Sequence, residues 1–170
     1  SSSSAHGSLY FSGTYSKTSA GGVVNYNRHI SNLSTWDLIS VPISDLDIND
    51  FAIGETDLAT GTGSDSGQYA IGVYSNTTAS YPGNTWLNYT TSTAPSAGNF
   101  TQGKGYQMAA SGSASGTGVG AEMTFSGKPN TGNISIDVIN SETGGAGDND
   151  HSNGTKFNLV GNPYPSFISV

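Results

Sequence analysis

The stretch Val23-Val-Asn-Tyr-Asn-Arg28 alternates between apolar or aromatic residues and polar ones. This is the period-two pattern of a β-strand with one buried face. Ile134-Ser-Ile-Asp-Val-Ile139 alternates more strictly and places Ile134, Ile136 and Val138 on one predicted face. Similar short clusters, bounded by Gly, Asn or Ser, recur about every ten to twenty residues along the chain. We predict an all-β fold, an antiparallel β-sandwich of jelly-roll-like type with long Gly-, Ser- and Asn-rich loops.

The same reading assigns the individual elements. Residues 1–22 form an N-terminal strand and lead-in, and residues 23–170 form the sandwich, which is expected to be a piece of a longer, repetitive chain. The predicted strands are Ser8–Tyr15, Val23–Ile30, Trp36–Val41, Tyr69–Tyr74, Trp86–Thr91, Gly105–Met108, Ala121–Phe125, Ile134–Ile139, Phe157–Val160 and Phe167–Val170. A short helical turn is expected between Leu46 and Leu58. The residues predicted to face inward from these elements are Trp36, Leu38, Ile39, Leu46, Phe51, Ile53, Phe125, Ile134, Ile136, Val138, Phe157 and Leu159.

Composition supports a folded chain with little charge. Charged residues make up 10% of the 170 residues, whereas an average soluble domain has about 25%. A disordered chain has few aromatic residues and many charges, and this sequence, with nine Tyr and six Phe, has the reverse. The five basic residues are scattered singly, so no stripe is present that would neutralise nucleic-acid phosphates. We therefore expect neither nucleic-acid binding nor, because no apolar run approaches about 20 residues, membrane insertion.

The chain contains no cysteine. Disulfide bonds, thiolate nucleophiles and zinc–thiolate sites are thereby excluded from this sequence. Secreted bacterial proteins that cross an envelope often lack cysteine, whereas small animal ectodomains usually depend on disulfides.

Two distant segments carry the same short residue pattern. Trp36-Asp-Leu-Ile-Ser-Val-Pro42 and Phe157-Asn-Leu-Val-Gly-Asn-Pro163 share the order aromatic, short polar, two aliphatics, two further residues and proline. Proline lacks the backbone N–H that a strand ladder uses, so each segment reads as a strand that stops at a loop. The second segment either opens a new unit or forms the return strand of the first.

The phrase Asn158-Leu-Val-Gly-Asn-Pro-Tyr-Pro-Ser166, together with Val24–Arg28, Trp36–Pro42, Tyr69–Tyr74 and Gly103–Tyr106, resembles a module of Bacteroidota proteins. Such modules occur in large secreted or surface-displayed proteins, especially flavobacterial ones that use the type IX secretion route. The resemblance covers about residues 23–170 and implies an extracellular, repetitive and often adhesive setting. It brings no catalytic motif.

The titratable residues do not form a recognisable catalytic set. His6, His29 and His151 are far apart, and no Gly-x-Ser-x-Gly elbow follows a strand and opens a helix. The twelve acidic residues offer no motif that nominates a catalytic pair. We therefore do not expect an enzyme.

Calcium is the metal that the sequence favours. Asp148, Asp150 and Ser152 place oxygen side chains at alternate positions of one loop, as a hard cation requires. Asp45, Asp47 and Asp50 form a second candidate cluster. The alternative for both clusters is an acidic loop that water solvates.

Aromatic residues give the last binding signal. Trp86, with Tyr81 and Tyr89 around it, follows a turn, and exposed aromatic rings can stack on the apolar faces of sugars. The alternative is that these rings form cross-strand pairs within the sheet.

Two functions remain open from the sequence. The first is a non-catalytic structural or adhesive module of a bacterial surface protein, which pairs by strand addition with neighbouring copies or with the rest of its parent chain. The second is a calcium-supported carbohydrate-binding module, attached to a secreted glycan-active enzyme, whose partner is extracellular polysaccharide.

Overall fold

The computed structural model describes residues 23–76, 86–111, 120–140 and 157–165. Within these ranges the chain is all-β with one short helix, as predicted, and its strands form two antiparallel sheets in a sandwich-like arrangement. The elements in chain order are β1 (Val24–Ile30), β2 (Asp37–Ile39), α1 (Ile48–Gly54), β3 (Gln68–Tyr74), β4 (Trp86–Thr90), β5 (Tyr106–Met108) and β6 (Ala121–Gly127). Two 3₁₀ turns lie at Gly63–Asp65 and Ala94–Ser96.

The first sheet pairs β1 with β6 in antiparallel register from Val24 opposite Gly127 to Ile30 opposite Ala121. Alternation along β6 buries Ala121, Met123 and Phe125 and exposes the residues between them. The polar residues of the two strands bond to one another across the other face, as the Ser126 hydroxyl does to Asn25 Oδ1 at 2.8 Å.

The second sheet has the strand order β2-β5-β3-β4. Ile39, Tyr106 and Val73 stand side by side on adjacent strands and point toward the core. A register shift interrupts the pairing of β3 with β4 between Gln68 and Gly72.

Aromatic residues join the sheets through the helix. Asp47 caps α1, since its carboxylate accepts the backbone N–H groups of Asn49 and Asp50 at 2.8 and 3.1 Å. The helix buries Phe51, whose ring stacks on that of Phe125 from β6 at a centroid distance of 4.8 Å. Phe100 packs edge-on against Phe51 at 5.6 Å and against Tyr106 of β5 at 5.1 Å.

The described part of the C-terminal phrase, residues 158–165, packs against the sheets described above. Val160 bridges antiparallel to Lys104, and the backbone N–H of Gly161 donates to the Gly103 carbonyl at 2.9 Å. The buried amide of Asn130 donates from Nδ2 to the Pro163 carbonyl at 2.7 Å and to the Val41 carbonyl at 3.3 Å. Residues 157–165 therefore lie against Gly103, Lys104 and Val41 without forming a strand of either sheet.

Two predicted strands are wrong. Residues 134–139 run without a strand ladder, and the segment from Phe157 has only the isolated bridge at Val160. Alternation of apolar and polar residues does not by itself bury the apolar face. A segment that lies outside the sheets leaves its apolar residues exposed. Val138 is 72% exposed. Four other residues predicted as core are also exposed, namely Leu38, Ile53, Ile136 and Phe157.

The other predicted core positions are buried or partly buried. Ile39, Phe51 and Phe125 are buried, and Trp36 and Leu46 are partly buried against the core. Ile134 and Leu159 are half-buried. The predicted helical turn is confirmed as α1. Six predicted strands are confirmed with shifts of one or two residues at most of their ends. The predicted strands Ser8–Tyr15 and Phe167–Val170, with the rest of the lead-in at 1–22, lie outside the described residues.

Candidate functional site

Side chains that point away from the core form a row across the four-stranded sheet. Leu38, Gln107, Gly72 and Asn88 are cross-strand neighbours on β2, β5, β3 and β4 in that order. Adjacent strands lie about 4.8 Å apart, so this row is about 14 Å long. Two residues along β3 and β4, the pair Tyr74 and Trp86 extends the same face. We call the surface of Leu38, Gly72, Tyr74, Trp86, Asn88 and Gln107 the outer face.

An amide pair spans the middle of the outer face. Gln107 Nε2 donates to Asn88 Oδ1 at 2.7 Å, directly above Gly72. A Cβ atom at Gly72 would stand 2.3 Å from Asn88 Oδ1 and 2.8 Å from Gln107 Nε2. Glycine leaves room for the two amides to meet over its backbone, and a side chain here would displace them.

An aromatic pair lies at one end of the outer face. The Tyr74 and Trp86 rings meet edge-to-face, with centroids 5.5 Å apart and planes at 75°. The contact fixes both rings, while Trp86 keeps 37% of its surface exposed.

Asparagine side chains connect the outer face to the C-terminal phrase. Asn158 receives the Ile139 N–H on Oδ1 at 2.9 Å and donates from Nδ2 to the Ile139 carbonyl at 2.8 Å, as a paired strand would. Asn76, two residues beyond Tyr74, donates to the same carbonyl at 3.0 Å and to Asn158 Oδ1 at 3.3 Å. These bonds hold the chain next to the aromatic pair.

The structure does not bring Trp86 and Tyr89 together. They stand three residues apart on β4 and so point to opposite sides, with Tyr89 packed against the core. Burial, and secondarily the nearby Tyr106 hydroxyl, raises the pKa of Tyr89 to about 12. Tyr81 lies outside the described residues.

The second calcium candidate has its carboxylates in structural roles. Asp47 caps α1, and Asp45 accepts the backbone N–H of Lys128 at 2.6 Å with the Lys128 ammonium 3.9 Å away. Asp50 lies in the first turn of the helix, where its charge favours the helix dipole. Among the described residues no three acidic, histidine or cysteine side chains come close enough to hold a metal ion. Asp148, Asp150 and Ser152 lie outside those residues.

Other acidic groups are also bound to the framework. Glu55 accepts the Thr124 N–H on Oε2 at 3.2 Å and thereby ties the end of α1 to β6. Asp37 accepts the Ser31 N–H at 2.6 Å.

Within the described ranges no helix is long and apolar enough to cross a membrane.

Sequence reasoning missed Tyr74, Asn88 and Gln107. Tyr74 and Asn88 stood within predicted strands, and only the cross-strand register shows that they share a face with Trp86. Gly72 is the one sequence feature that points to the amide pair. A glycine inside a strand of apolar residues often marks a place where neighbouring atoms approach the backbone closely.

Comparison with known proteins identifies one family. Residues 14–170 match a family described as a domain of unknown function, DUF8693. No curated protein and no solved structure matches the chain.

Proposed function

The chain belongs to the DUF8693 family, and we propose that it is a non-catalytic adhesive and structural module of a bacterial surface protein. The outer face carries this proposal, because it presents a fixed aromatic pair and a fixed amide pair on a rigid sheet. Preorganised contacts of this kind lose little conformational entropy on binding.

The setting of the proposal is extracellular. The absence of cysteine and the resemblance to Bacteroidota modules of the type IX route support it. The carboxylates of Asp45, Asp47 and Glu55 support a framework role, because their hydrogen bonds fasten backbone N–H groups.

The adhesion test uses beads coated with the purified chain on cultured Bacteroidota cells and their secreted matrix. Beads should be retained with the native chain, lost with Trp86→Ala, and retained with Leu87→Ala. Leu87 is the matched control, since it neighbours Trp86 on β4, is 41% exposed and points to the other side. Equal retention of both variants, or no retention of the native chain, contradicts the proposal.

Strand addition is the second proposal, with neighbouring copies or the rest of the parent chain as partners. β4 forms an edge of the four-stranded sheet within the described part of the chain. An edge strand offers backbone groups to a further strand. Sedimentation velocity should show assembly that grows with concentration, whereas a monomer throughout contradicts strand addition between copies.

A further inference from the structure

The amide pair of the outer face has hydrogen-bonding capacity left over. The bond between Gln107 Nε2 and Asn88 Oδ1 uses one donor and one acceptor. A carboxamide carries two N–H donors and an oxygen with two lone pairs, so Gln107 Oε1 and Asn88 Nδ2 stay available for a ligand. An acceptor and a donor side by side suit hydroxyl groups, because each hydroxyl both donates and accepts.

The aromatic pair supplies the complementary apolar contact. Trp86 is partly exposed and is held at a fixed angle by Tyr74. The face of an aromatic ring is negative and therefore attracts weakly positive C–H groups. Sugar rings combine both features, since C–H groups cover their faces and hydroxyls surround their rims.

Charge narrows the class of sugar. None of the six residues of the outer face carries a charge, and the chain as a whole has a net charge of −7. An acidic polysaccharide would be repelled by the chain and would find no cation on this face. A neutral polymer meets neither penalty, and the row of about 14 Å accommodates an extended chain across the strands.

The geometry points to a binding site for neutral polysaccharide on the outer face, with Trp86 and Tyr74 stacking on a sugar ring and Asn88 and Gln107 binding hydroxyls. This inference rests on the proposed adhesive function and names its ligand class.

The test is native gel electrophoresis through β-glucan, xylan, galactomannan and starch, with alginate as the acidic comparison. The native chain should be retarded by at least one neutral polymer and not by alginate. Loss of an aromatic anchor residue typically costs about 2 kcal/mol, so Trp86→Ala should weaken binding about 30-fold. Leu87→Ala should leave retardation unchanged. Gly72→Ala, which drives the amides apart, should weaken binding while both aromatic rings remain.

Each other outcome overturns the inference. No retardation by any neutral polymer, retardation by alginate alone, or equal retardation of Trp86→Ala and the native chain shows that the ligand class is wrong. So does a Trp86-dependent self-association, which would make a second copy the occupant. If the coated beads still adhere in a Trp86-dependent way, the adhesive function stands without this ligand. If adhesion fails too, both fall.

Discussion

Asn130 anchors the C-terminal phrase, and its replacement measures how firmly that segment is docked. The side chain is 1% exposed, and Nδ2 bonds to the carbonyls of Val41 and Pro163. Asn130→Ala leaves both acceptors without this donor, at about 1–3 kcal/mol each. Asn130 Oδ1 is itself buried without a partner, so its removal returns about 1–3 kcal/mol. The net loss of folding stability should be about 1–3 kcal/mol.

Urea unfolding followed by tryptophan fluorescence measures this loss. Asn133→Ala is the matched control, because Asn133 is exposed and stands three residues away on the same segment. It should change stability by less than about 0.5 kcal/mol. Asn130→Asp should cost more than Asn130→Ala, since it buries a carboxylate and also removes the donor. Equal urea midpoints for Asn130→Ala and Asn133→Ala would show that the Asn130 hydrogen bonds to Val41 and Pro163 do not stabilise the fold.

Three further predictions concern backbone, pH and metal. Gly120→Ala should destabilise the fold more than Gly132→Ala in urea titrations, since a Cβ at Gly120 would stand 2.0 Å from the Ile30 carbonyl oxygen, whereas at Gly132 nothing lies within 4 Å. Both glycines have positive φ, and this backbone conformation costs alanine about 1–2 kcal/mol at either position. Equal losses of stability in the two variants would refute the clash. Because the pKa of Tyr89 is raised to about 12, its buried phenol adds stability below pH 10 that is lost as pH rises from 10 to about 12. The melting temperature should fall across that window, and it should fall less in Tyr89→Phe. Identical dependences of melting temperature on pH in the two proteins would contradict this role of Tyr89. If Asp148, Asp150 and Ser152 hold calcium, chelation should remove about 2–4 kcal/mol of stability, and an unchanged melting temperature would exclude the site.

The sequence pattern predicts strands well where a segment lies in a sheet. Val24–Ile30 and Ala121–Gly127 alternate, and the register pairs them along their whole length. Residues 134–139 alternate more strictly and form no ladder, because pairing depends on which segments the chain brings alongside. Leu38 shows the same limit, since it belongs to a real strand but faces outward.

The candidate site is predictable only in part for a related reason. Trp86 stands out as an aromatic residue after a turn, whereas Asn88 and Gln107 are polar residues of ordinary strands, nineteen positions apart. Their meeting depends on β3 lying between β4 and β5 with a glycine at the crossing. The spacing of residues along the sequence does not determine this non-local strand order.

The most direct test of the outer face as the contact surface is Trp86 fluorescence. Trp36 and Trp86 are the two tryptophans of the chain, so Trp36→Phe leaves Trp86 as the reporter. Titration of this variant with the matrix material that retains the coated beads should shift and saturate its emission, and the same titration of Trp36→Phe with Gly72→Ala should require more material. Emission that stays constant while the beads adhere would place the contact elsewhere on the molecule and contradict the account.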